Sequence, residues 1–116
     1  MAAQTAQAAQ TAPLGAPIEA FVRLIRGRHK SDIVISLGQR KALRFAELSR
    51  ALPQMSQRVL ARQLDALERD GVVRRTVVPG HGRHVEYALT DFGKTICPIL
   101  KQIWKWSVQR GSAGGH

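Results

Sequence analysis

The apolar residues change their spacing near Gly71, and this change constrains the fold more than any other feature of the sequence. Upstream of it, Ser56 is a good N-cap for a helix whose apolar residues recur every three or four positions: Val59, Leu60, Leu64 and Leu67. Downstream, four valines lie within residues 72–78, and large apolar side chains then occupy every second position of residues 85–89. With the turn sequence Pro79-Gly80-His81-Gly82 between these two runs, the pattern predicts a two-stranded β-hairpin directly after the helix.

The same reasoning predicts three helices before this segment and one after it. Their expected positions are Pro17 to Gly27, Ser31–Leu37, Arg44–Leu52 and Thr90 to Val108. Gly38 and Pro53 are expected to end the second and third of these helices. Two short helices joined by a tight turn and followed by a basic hairpin are typical of a winged helix-turn-helix. The expected fold class is therefore mainly α with a small β-hairpin (α+β).

The chain is long enough for one domain with a hydrophobic core, flanked by two tails. Residues 1–16 lack apolar periodicity and residues 110–116 are rich in glycine, so we expect both to be disordered or flexible and residues 17–109 to form the domain. The N-terminal segment has neither charge nor a dense apolar block, which argues against a signal peptide, and no apolar run is long enough to span a bilayer. The single cysteine excludes an internal disulfide and favours a reducing, cytoplasmic setting.

Positive charge dominates the composition. The 18 Lys and Arg residues exceed the 8 Asp and Glu residues and give a formal net charge of +10. Such an excess suggests a polyanionic partner, either nucleic acid or an anionic membrane face. Together with the winged helix-turn-helix pattern, it favours double-stranded DNA and a nucleoid-associated location, with no membrane partner.

The helix that starts at Ser56 carries the candidate residues for reading DNA. On the side opposite its leucines, five small, polar or basic residues lie near the N-terminal end: Ser56, Gln57, Arg58, Ala61 and Arg62. Acidic residues begin only at Asp65, so the charge changes from basic to acidic along the helix. An arginine can bridge O6 and N7 of guanine, and a glutamine can bridge N6 and N7 of adenine. The alternative is that these side chains form an ordinary solvated helix face.

Basic residues also surround the predicted hairpin and its flanks: Arg44, Arg74, Arg75, His81, Arg83 and His84. Side chains of this type neutralise phosphates, and arginines are attracted to narrow minor grooves. The hairpin is therefore a second candidate DNA contact, the wing of the motif. The alternative is an edge hairpin that charge keeps soluble.

The sequence carries no recognisable catalytic or metal-binding motif. Zinc needs three or four converging ligands, whereas His81 and His84 are only two and the single thiol, Cys97, lies in another predicted helix. The sequence also lacks a glycine-rich phosphate loop, a nucleophile elbow and an HExxH motif. We therefore expect a protein that is not an enzyme and holds no metal or cofactor.

The last predicted helix carries two apolar rows instead of one. The first row is Phe92, Ile96, Ile99, Ile103 and Trp106, and the second is Cys97, Leu100, Trp104 and Val108. One helix at the edge of a small domain rarely buries two such rows against a single core, so one row is expected to face a partner chain. The predicted homodimer interface comprises Ile18, Phe21, Val22, Ile25, Ile96, Ile99, Leu100, Ile103, Trp104 and Trp106. The alternative is that both rows pack within one subunit.

Several short motifs follow one another in order over nearly the whole predicted domain. They include Arg44-Phe45-Ala46-Glu47-Leu48, Ala51-Leu52-Pro53, Ser56-Gln57-Arg58-Val59-Leu60, Gln63-Leu64 and Asp70-Gly71-Val72-Val73. As an ordered set they resemble the HxlR family of bacterial MarR-like transcriptional regulators. The resemblance implies a homodimer joined through its first and last helices on a pseudo-palindromic operator, with Ser56–Asp70 as the recognition helix and Arg75–Tyr87 as the wing. It also implies repression, less often activation, of genes that respond to small molecules or oxidants.

Two positions depart from the family pattern. Many members carry a cysteine directly before the proline that starts the domain, here Pro17. This chain has Ala16 at that position, so Cys97 is the remaining candidate redox thiol. Because Cys97 lies between apolar neighbours, the alternative is a buried thiol that only packs. The Gly-Lys-Trp usual in the family is replaced by Gly27-Arg28-His29-Lys30, which lacks the aromatic residue.

The leading hypothesis is a dimeric, sequence-specific DNA-binding regulator, with a small-molecule or redox effector as a further partner. Winged folds also serve as protein-interaction or RNA-associated modules, because a fold does not determine a function. The basic-to-acidic gradient along the helix that starts at Ser56 favours the DNA-binding hypothesis over this alternative.

Overall fold

Five α-helices and three β-strands make up most of residues 15–27 and 29–113, the ranges that the structure, a computed structural model, describes. In chain order the elements are α1 (Gly15–Ile25), α2 (Lys30–Arg40), β1 (Ala42–Arg44), α3 (Phe45–Ala51), α4 (Gln57–Arg69), β2 (Val73–Val78), β3 (His84–Leu89) and α5 (Asp91–Ala113). This order confirms the predicted succession of four helices, a hairpin and a last helix, and with it the winged helix-turn-helix. Within these ranges, no helix is both long enough and apolar enough to cross a bilayer.

Both ends of α4 form as the sequence predicts. The Ser56 hydroxyl oxygen accepts a hydrogen bond from the Val59 amide at 3.1 Å and so caps the first turn. At the other end, Gly71 adopts φ 77°, a left-handed conformation that glycine tolerates, and the Val72 amide donates to the Leu67 carbonyl oxygen at 2.9 Å. This Schellman-type ending lets the chain turn at once from α4 into β2.

The predicted hairpin belongs to a three-stranded antiparallel sheet with the order β1-β3-β2. Strand β3 is central, so Tyr87 lies opposite Arg75 on one side and opposite Leu43 on the other. The sheet therefore has one strand more than the sequence predicts. Arg44, predicted to begin the third helix, instead ends β1, and its amide donates to the Glu47 carboxylate at 2.8 Å as the N-cap residue of α3. A strand of three residues with one buried side chain is too short to produce a recognisable alternation.

Helix α2 continues past Gly38, the residue predicted to end it, as far as Arg40. The glycine has a different role, because a Cβ added there would lie 2.5 Å from the Sγ of Cys97 in α5. Gly38 therefore allows α2 and α5 to approach each other closely.

The two outer helices also extend beyond their predicted bounds. Helix α1 begins at Gly15, ahead of Pro17, and α5 runs to Ala113, beyond the predicted end at Val108. The first residues of the segment 110–116, predicted as a flexible tail, are thus helical. Residues 1–14 of the other predicted tail and residues 114–116 lie outside the described residues.

Helix α2 lies at the centre of the hydrophobic core. It contacts α3, α4, α5 and the sheet, and its residues Ile33, Val34 and Leu37 are at most 1% exposed. The other buried apolar residues come from every element except α1: Leu43, Leu48, Leu52, Met55, Leu60, Leu64, Leu67, Val72, Val73, Leu89, Ile96, Cys97 and Leu100. Helix α1 adds Phe21, Leu24 and Ile25 at the edge of this core.

The start of α5 is tied to the junction between α4 and β2. The Thr90 amide donates to the Val72 carbonyl oxygen at 3.0 Å, and the Thr90 hydroxyl donates to the Gly71 carbonyl oxygen. The same hydroxyl oxygen accepts from the Gly93 amide at 3.0 Å, which confirms Thr90 as the predicted cap of the last helix. Gly93 itself packs on the Val72 carbonyl oxygen so closely that a Cβ would collide with this backbone atom.

Replacing Gly93 by alanine should therefore destabilise the fold. Since the obstacle is backbone, which cannot move aside like a side chain, we expect Gly93→Ala to lower the free energy of unfolding by about 1–3 kcal/mol. Urea unfolding followed by circular dichroism measures this change. Gly111→Ala is the matched control in the same helix, because a Cβ at Gly111 meets nothing within 4 Å. Equal stabilities of the two variants would contradict the prediction.

Candidate nucleic-acid interface

The residues predicted to read DNA lie at the N-terminal end of α4, on its solvent side. Leu60, Leu64 and Leu67 of the same helix are at most 1% exposed, which turns the opposite side outward. The exposed residues on that side are Ser56, Gln57, Arg58, Ala61 and Arg62. Because the N-terminal end of a helix carries a partial positive charge, this end of α4 is suited to contact phosphates or electronegative base edges.

Within the described ranges, the arginines of this helix have no acidic partner. The ion pairs found among the described residues are His29–Asp32, His84–Glu86 and Lys94–Asp91, and none of them involves an arginine. Arg58 and Arg62 thus have no carboxylate oxygen within 4.0 Å in the described part of the chain. Their guanidinium groups can bind an external acceptor without first breaking an internal salt bridge.

The wing, defined here as β2, β3 and the turn of residues 79–83, carries most of the other predicted contacts. Arg74, Arg75, His81 and Arg83 are all exposed. Arg74 and Arg75 are consecutive residues of β2, so their side chains lie on opposite faces of the sheet. Arg75 shares its face with the buried Val73, whereas Arg74 lies on the outer face. The two arginines therefore extend the basic surface to both faces of the wing.

His84 differs from the other wing residues, because its side chain is bound within the wing. Its Nε2 lies 2.9 Å from the Glu86 carboxylate and its Nδ1 lies 3.1 Å from the Gly82 carbonyl oxygen. The imidazole is half-buried along β3. Arg44 is exposed and lies opposite Glu86 in the strand register. The outer face of the sheet is therefore less basic than a count of its cations suggests.

Two of the residues predicted in a dimer interface belong to the subunit core instead. Ile96 and Leu100, one from each predicted row, are only 3% and 4% exposed, because this side of α5 packs against α2. Phe21 and Ile25 are partly buried against the same core. The remaining predicted interface residues are exposed: Ile18, Val22, Ile99, Ile103, Trp104 and Trp106.

The exposed apolar residues of α5 fall on two sides of the helix. Phe92, Ile99, Ile103 and Trp106 are spaced seven, four and three residues apart and form one stripe, called here the α5 stripe. Phe92 is 47% exposed and extends this stripe beyond the predicted interface. Trp104 lies roughly 160° around the helix from Trp106, since consecutive residues are about 100° apart. Trp104 is therefore not part of the α5 stripe.

Cys97, the candidate redox thiol, is buried. It is 5% exposed, belongs to the hydrophobic core and packs against Gly38. A thiol in such apolar surroundings has little access to oxidants or electrophiles. Across residues 15–27 and 29–113, no cluster of three or more His, Cys, Asp or Glu side chains could hold a metal ion.

Sequence reasoning missed a further pair of arginines. Arg40, at the end of α2, and Arg50, in the last turn of α3, line a shallow cleft of about 270 Å³ together with Glu47. Basic residues at helix C-termini are common because they complement the helix dipole, so the sequence alone gives no signal for this pairing.

Comparison with known proteins agrees with this geometry. A family model described as HxlR-like helix-turn-helix matches residues 24–113. The chain belongs to this family. The resemblance noted from the sequence motifs is thereby confirmed over most of the predicted domain.

Several known regulators share both sequence and fold with this chain. The HTH-type transcriptional regulator YdzF of Bacillus subtilis is 36% identical over 96 residues, which cover 83% of this chain and 88% of the relative. The redox regulator HypR in its reduced form superposes with a TM-score of 0.77 at 34% identity, covering 87% of this chain and 100% of that one. A transcriptional regulator of the MarR family from Enterococcus faecalis V583 superposes with a TM-score of 0.80 at 30% identity, covering 90% and 94%.

The burial of Cys97 makes a prediction about thiol reactivity. In the native protein a maleimide should label Cys97 about tenfold or more slowly than in urea, because labelling requires local opening of the core. Mass spectrometry over time measures the two rates. A Cys97→Ala/Gln109→Cys variant, which moves the thiol to an exposed position of the same helix, is the control and should react fast in both conditions. Rapid labelling of native Cys97 would show that the thiol is accessible after all.

Proposed function

We propose that this HxlR-family protein binds a pseudo-palindromic DNA operator as a homodimer and represses the gene that the operator controls. The observation that carries the proposal is the N-terminal half of α4, where Gln57, Arg58 and Arg62 are exposed and the two arginines have no carboxylate within 4.0 Å among the described residues. The transcriptional regulators among its relatives support the same conclusion. Binding to chromosomal DNA assigns the protein to the cytoplasm, at the nucleoid, and involves no catalytic step.

In this proposal α4 enters the major groove with its N-terminal end. Arg58 has the geometry to bridge O6 and N7 of guanine, and the amide of Gln57 can pair with N6 and N7 of adenine. Arg62 follows Arg58 by four residues and so extends the contact by one helical turn. Ser56 can donate its hydroxyl proton to a phosphate, and the Ala61 methyl group suits contact with the methyl group of thymine.

The wing and its flanks supply binding that does not depend on sequence. Arg44, Arg74, Arg75 and Arg83 are exposed cations on or beside the sheet, and we assign them to phosphates and to the edge of the minor groove. His81 lies in the exposed turn and belongs to the same surface. The excess of 18 basic over 8 acidic side chains strengthens this attraction over the whole molecule.

The homodimer rests on apolar surface that one subunit leaves uncovered. The α5 stripe and the exposed residues Ile18 and Val22 of α1 present large apolar side chains to solvent, with Ile18 62% exposed and Trp106 61% exposed. Burial against a second copy removes this surface from water. A two-fold axis through such an interface would present two α4 helices to half-sites about 10 base pairs apart, one turn of the duplex.

A redox response is not proposed for this chain, although its relative HypR is a redox regulator. The only thiol of this chain, Cys97, is 5% exposed within its own core, which favours a packing role. We therefore propose that a small-molecule effector, and not oxidation of a thiol, controls the repressor.

The assignment of Arg58 to a base contact makes the first functional prediction. Arg58→Ala should weaken binding to the true operator by about 1–3 kcal/mol and leave binding to unrelated duplex nearly unchanged, because the lost hydrogen bonds are base-specific. Fluorescence anisotropy on an operator obtained by selection from random duplexes measures both affinities. Arg69→Ala is the matched control, an exposed arginine at the other end of α4, and should bind both duplexes normally.

Arg83→Ala separates the phosphate contacts from the base contacts. We expect this variant to lose affinity for operator and for unrelated duplex by the same factor. The slope of log affinity against log salt concentration should become shallower by about one, the loss of one phosphate contact. If Arg58→Ala behaved like Arg83→Ala, α4 would not read bases. Equal affinity of the native protein for duplex, single strands and structured RNA would favour an RNA-associated or protein-interaction module instead.

The α5 stripe makes a prediction about assembly. Ile103→Glu should shift the protein from dimer to monomer, because it places a charge in the proposed interface. Light scattering after size-exclusion chromatography measures the mass. Lys94→Glu also adds a carboxylate to α5, but roughly 180° around the helix from Ile103, and should remain dimeric. A wild-type mass of one subunit would contradict the homodimer, and equal masses for the two variants would contradict the α5 stripe as its interface.

A further inference from the structure

A half-open cleft of about 430 Å³ lies between α2 and α5. One wall is a face of α2 that includes Ile35 and Ser36, and the facing wall is Trp104 of α5. The segment between α3 and α4 contributes Leu52 and Gln54 to the lining. The volume falls within the range of small-molecule sites, which are lined mainly by apolar and aromatic side chains with a few polar groups.

The cleft does not coincide with either of the two surfaces assigned above. Trp104 lies roughly 160° around α5 from Trp106 of the α5 stripe, so pairing through that stripe does not require this wall. None of the exposed residues at the N-terminal end of α4 lines the cleft. The indole of Trp104 is 61% exposed, which is unusual for so large an apolar group unless it meets a ligand or a partner.

The charges around the cleft favour an anion. Lys101 and Lys105 flank Trp104 and, among the described residues, have no carboxylate oxygen within 4.0 Å. The one carboxylate of the lining, Asp32, is already engaged, because its Oδ2 accepts from Gln54 at 3.3 Å and lies 3.1 Å from the His29 ring. Two lysines against one aspartate leave a net charge of +1, which matches a single negative charge on a ligand.

We propose that this cleft binds a planar aromatic monoanion of the aromatic carboxylate class. The ring stacks on the indole of Trp104 and contacts Ile35 and Leu52, which removes two apolar surfaces from water at once. The carboxylate faces Lys101 and Lys105, whose ammonium groups neutralise it at the solvent side of the cleft.

A ligand in the cleft is also expected to change the orientation of α4, the helix that is proposed to read DNA. Gln54 donates to Asp32 of α2 and lies two residues before Ser56, the N-cap of α4. A ligand that contacts Gln54 changes the hydrogen bond that ties this turn to α2, and with it the orientation of α4. This step rests on the proposed function: a ligand that shifts α4 changes operator affinity, and by thermodynamic linkage the operator changes ligand affinity by the same factor.

Calorimetric titration of the full-length protein with 1-naphthoate tests the binding step, with 1-naphthalenemethanol as a neutral compound of the same ring system. We expect one naphthoate per subunit and an affinity about tenfold higher than that of the alcohol, because two exposed ion pairs contribute modestly. Lys101→Ala/Lys105→Ala should reduce naphthoate binding to the level of the alcohol. Lys94→Ala is the matched control, an exposed lysine of α5 outside the cleft, and should bind naphthoate normally.

Three results would overturn the proposed site. The first is equal affinity for the acid and the alcohol, and the second is an unchanged affinity in the double lysine variant. The third is dissociation of the dimer by the double lysine variant, which would show that a second copy of the chain covers the cleft. A Gln39→Ala variant, on the α2 wall of the same cleft, keeps both lysines and should retain the preference for the acid.

Operator binding with and without naphthoate tests the link to α4. We expect saturating naphthoate to change the operator affinity of the native protein about fivefold or more and to leave that of the double lysine variant unchanged. An unchanged affinity of the native protein overturns the link. Because the calorimetry contains no DNA, failure of the ligand site leaves the proposed operator binding intact, and failure of operator binding leaves the calorimetric result intact.

Discussion

The hydrogen bonds of Thr90 fix the geometry on which both proposed surfaces depend. Its hydroxyl and amide donate to the carbonyl oxygens of Gly71 and Val72, and its hydroxyl oxygen accepts from the amide of Gly93. One residue thus joins the end of α4, the start of β2 and the start of α5. Because α4 carries the exposed arginines and α5 the apolar stripe, this junction fixes the position of α4 relative to the proposed dimer interface. The absence of a Cβ at Gly93 is what permits such a close junction.

The scarcity of carboxylates has a structural consequence beyond net charge. Each ion pair found in residues 15–27 and 29–113 uses a histidine or a lysine, so the arginines of α4 and of the wing keep their hydrogen-bonding capacity for an external partner. In the wing, by contrast, one basic side chain does have an acidic partner, because the Glu86 carboxylate binds His84 along β3. A carboxylate there pairs with one imidazole and leaves His81 and Arg83 as the exposed basic side chains of the turn. The distribution of acids therefore determines which cations are available, and a count of basic residues does not.

Local signals in the sequence predicted what depends on local structure. The Ser56 cap, the glycine ending at Gly71 and the exposed side of α4 follow from residue type and helical spacing, and all agree with the structure. The rest depends on contacts between distant segments. Strand β1 exists because Leu43 pairs with Tyr87, a partner 44 residues away, and α2 passes Gly38 because α5 packs on that glycine. The residues next to Leu43 and Gly38 in the sequence give no signal that predicts either contact.

The two apolar rows of α5 illustrate the same limit and explain how one helix serves several purposes. Sequence spacing shows that both rows exist but cannot tell which one faces the core. In the structure the buried side takes Ile96 from the first row and Leu100 and Cys97 from the second, so neither row as a whole faces the core. A helix only about 10–12 Å across can thus contact the core through residues 96–100 and line the cleft with Trp104 further along nearly the same side, while the α5 stripe on another side is left for the proposed second subunit. A ligand in the proposed cleft would contact both α5, which carries the proposed dimer interface, and Gln54, which lies two residues before the N-cap of α4.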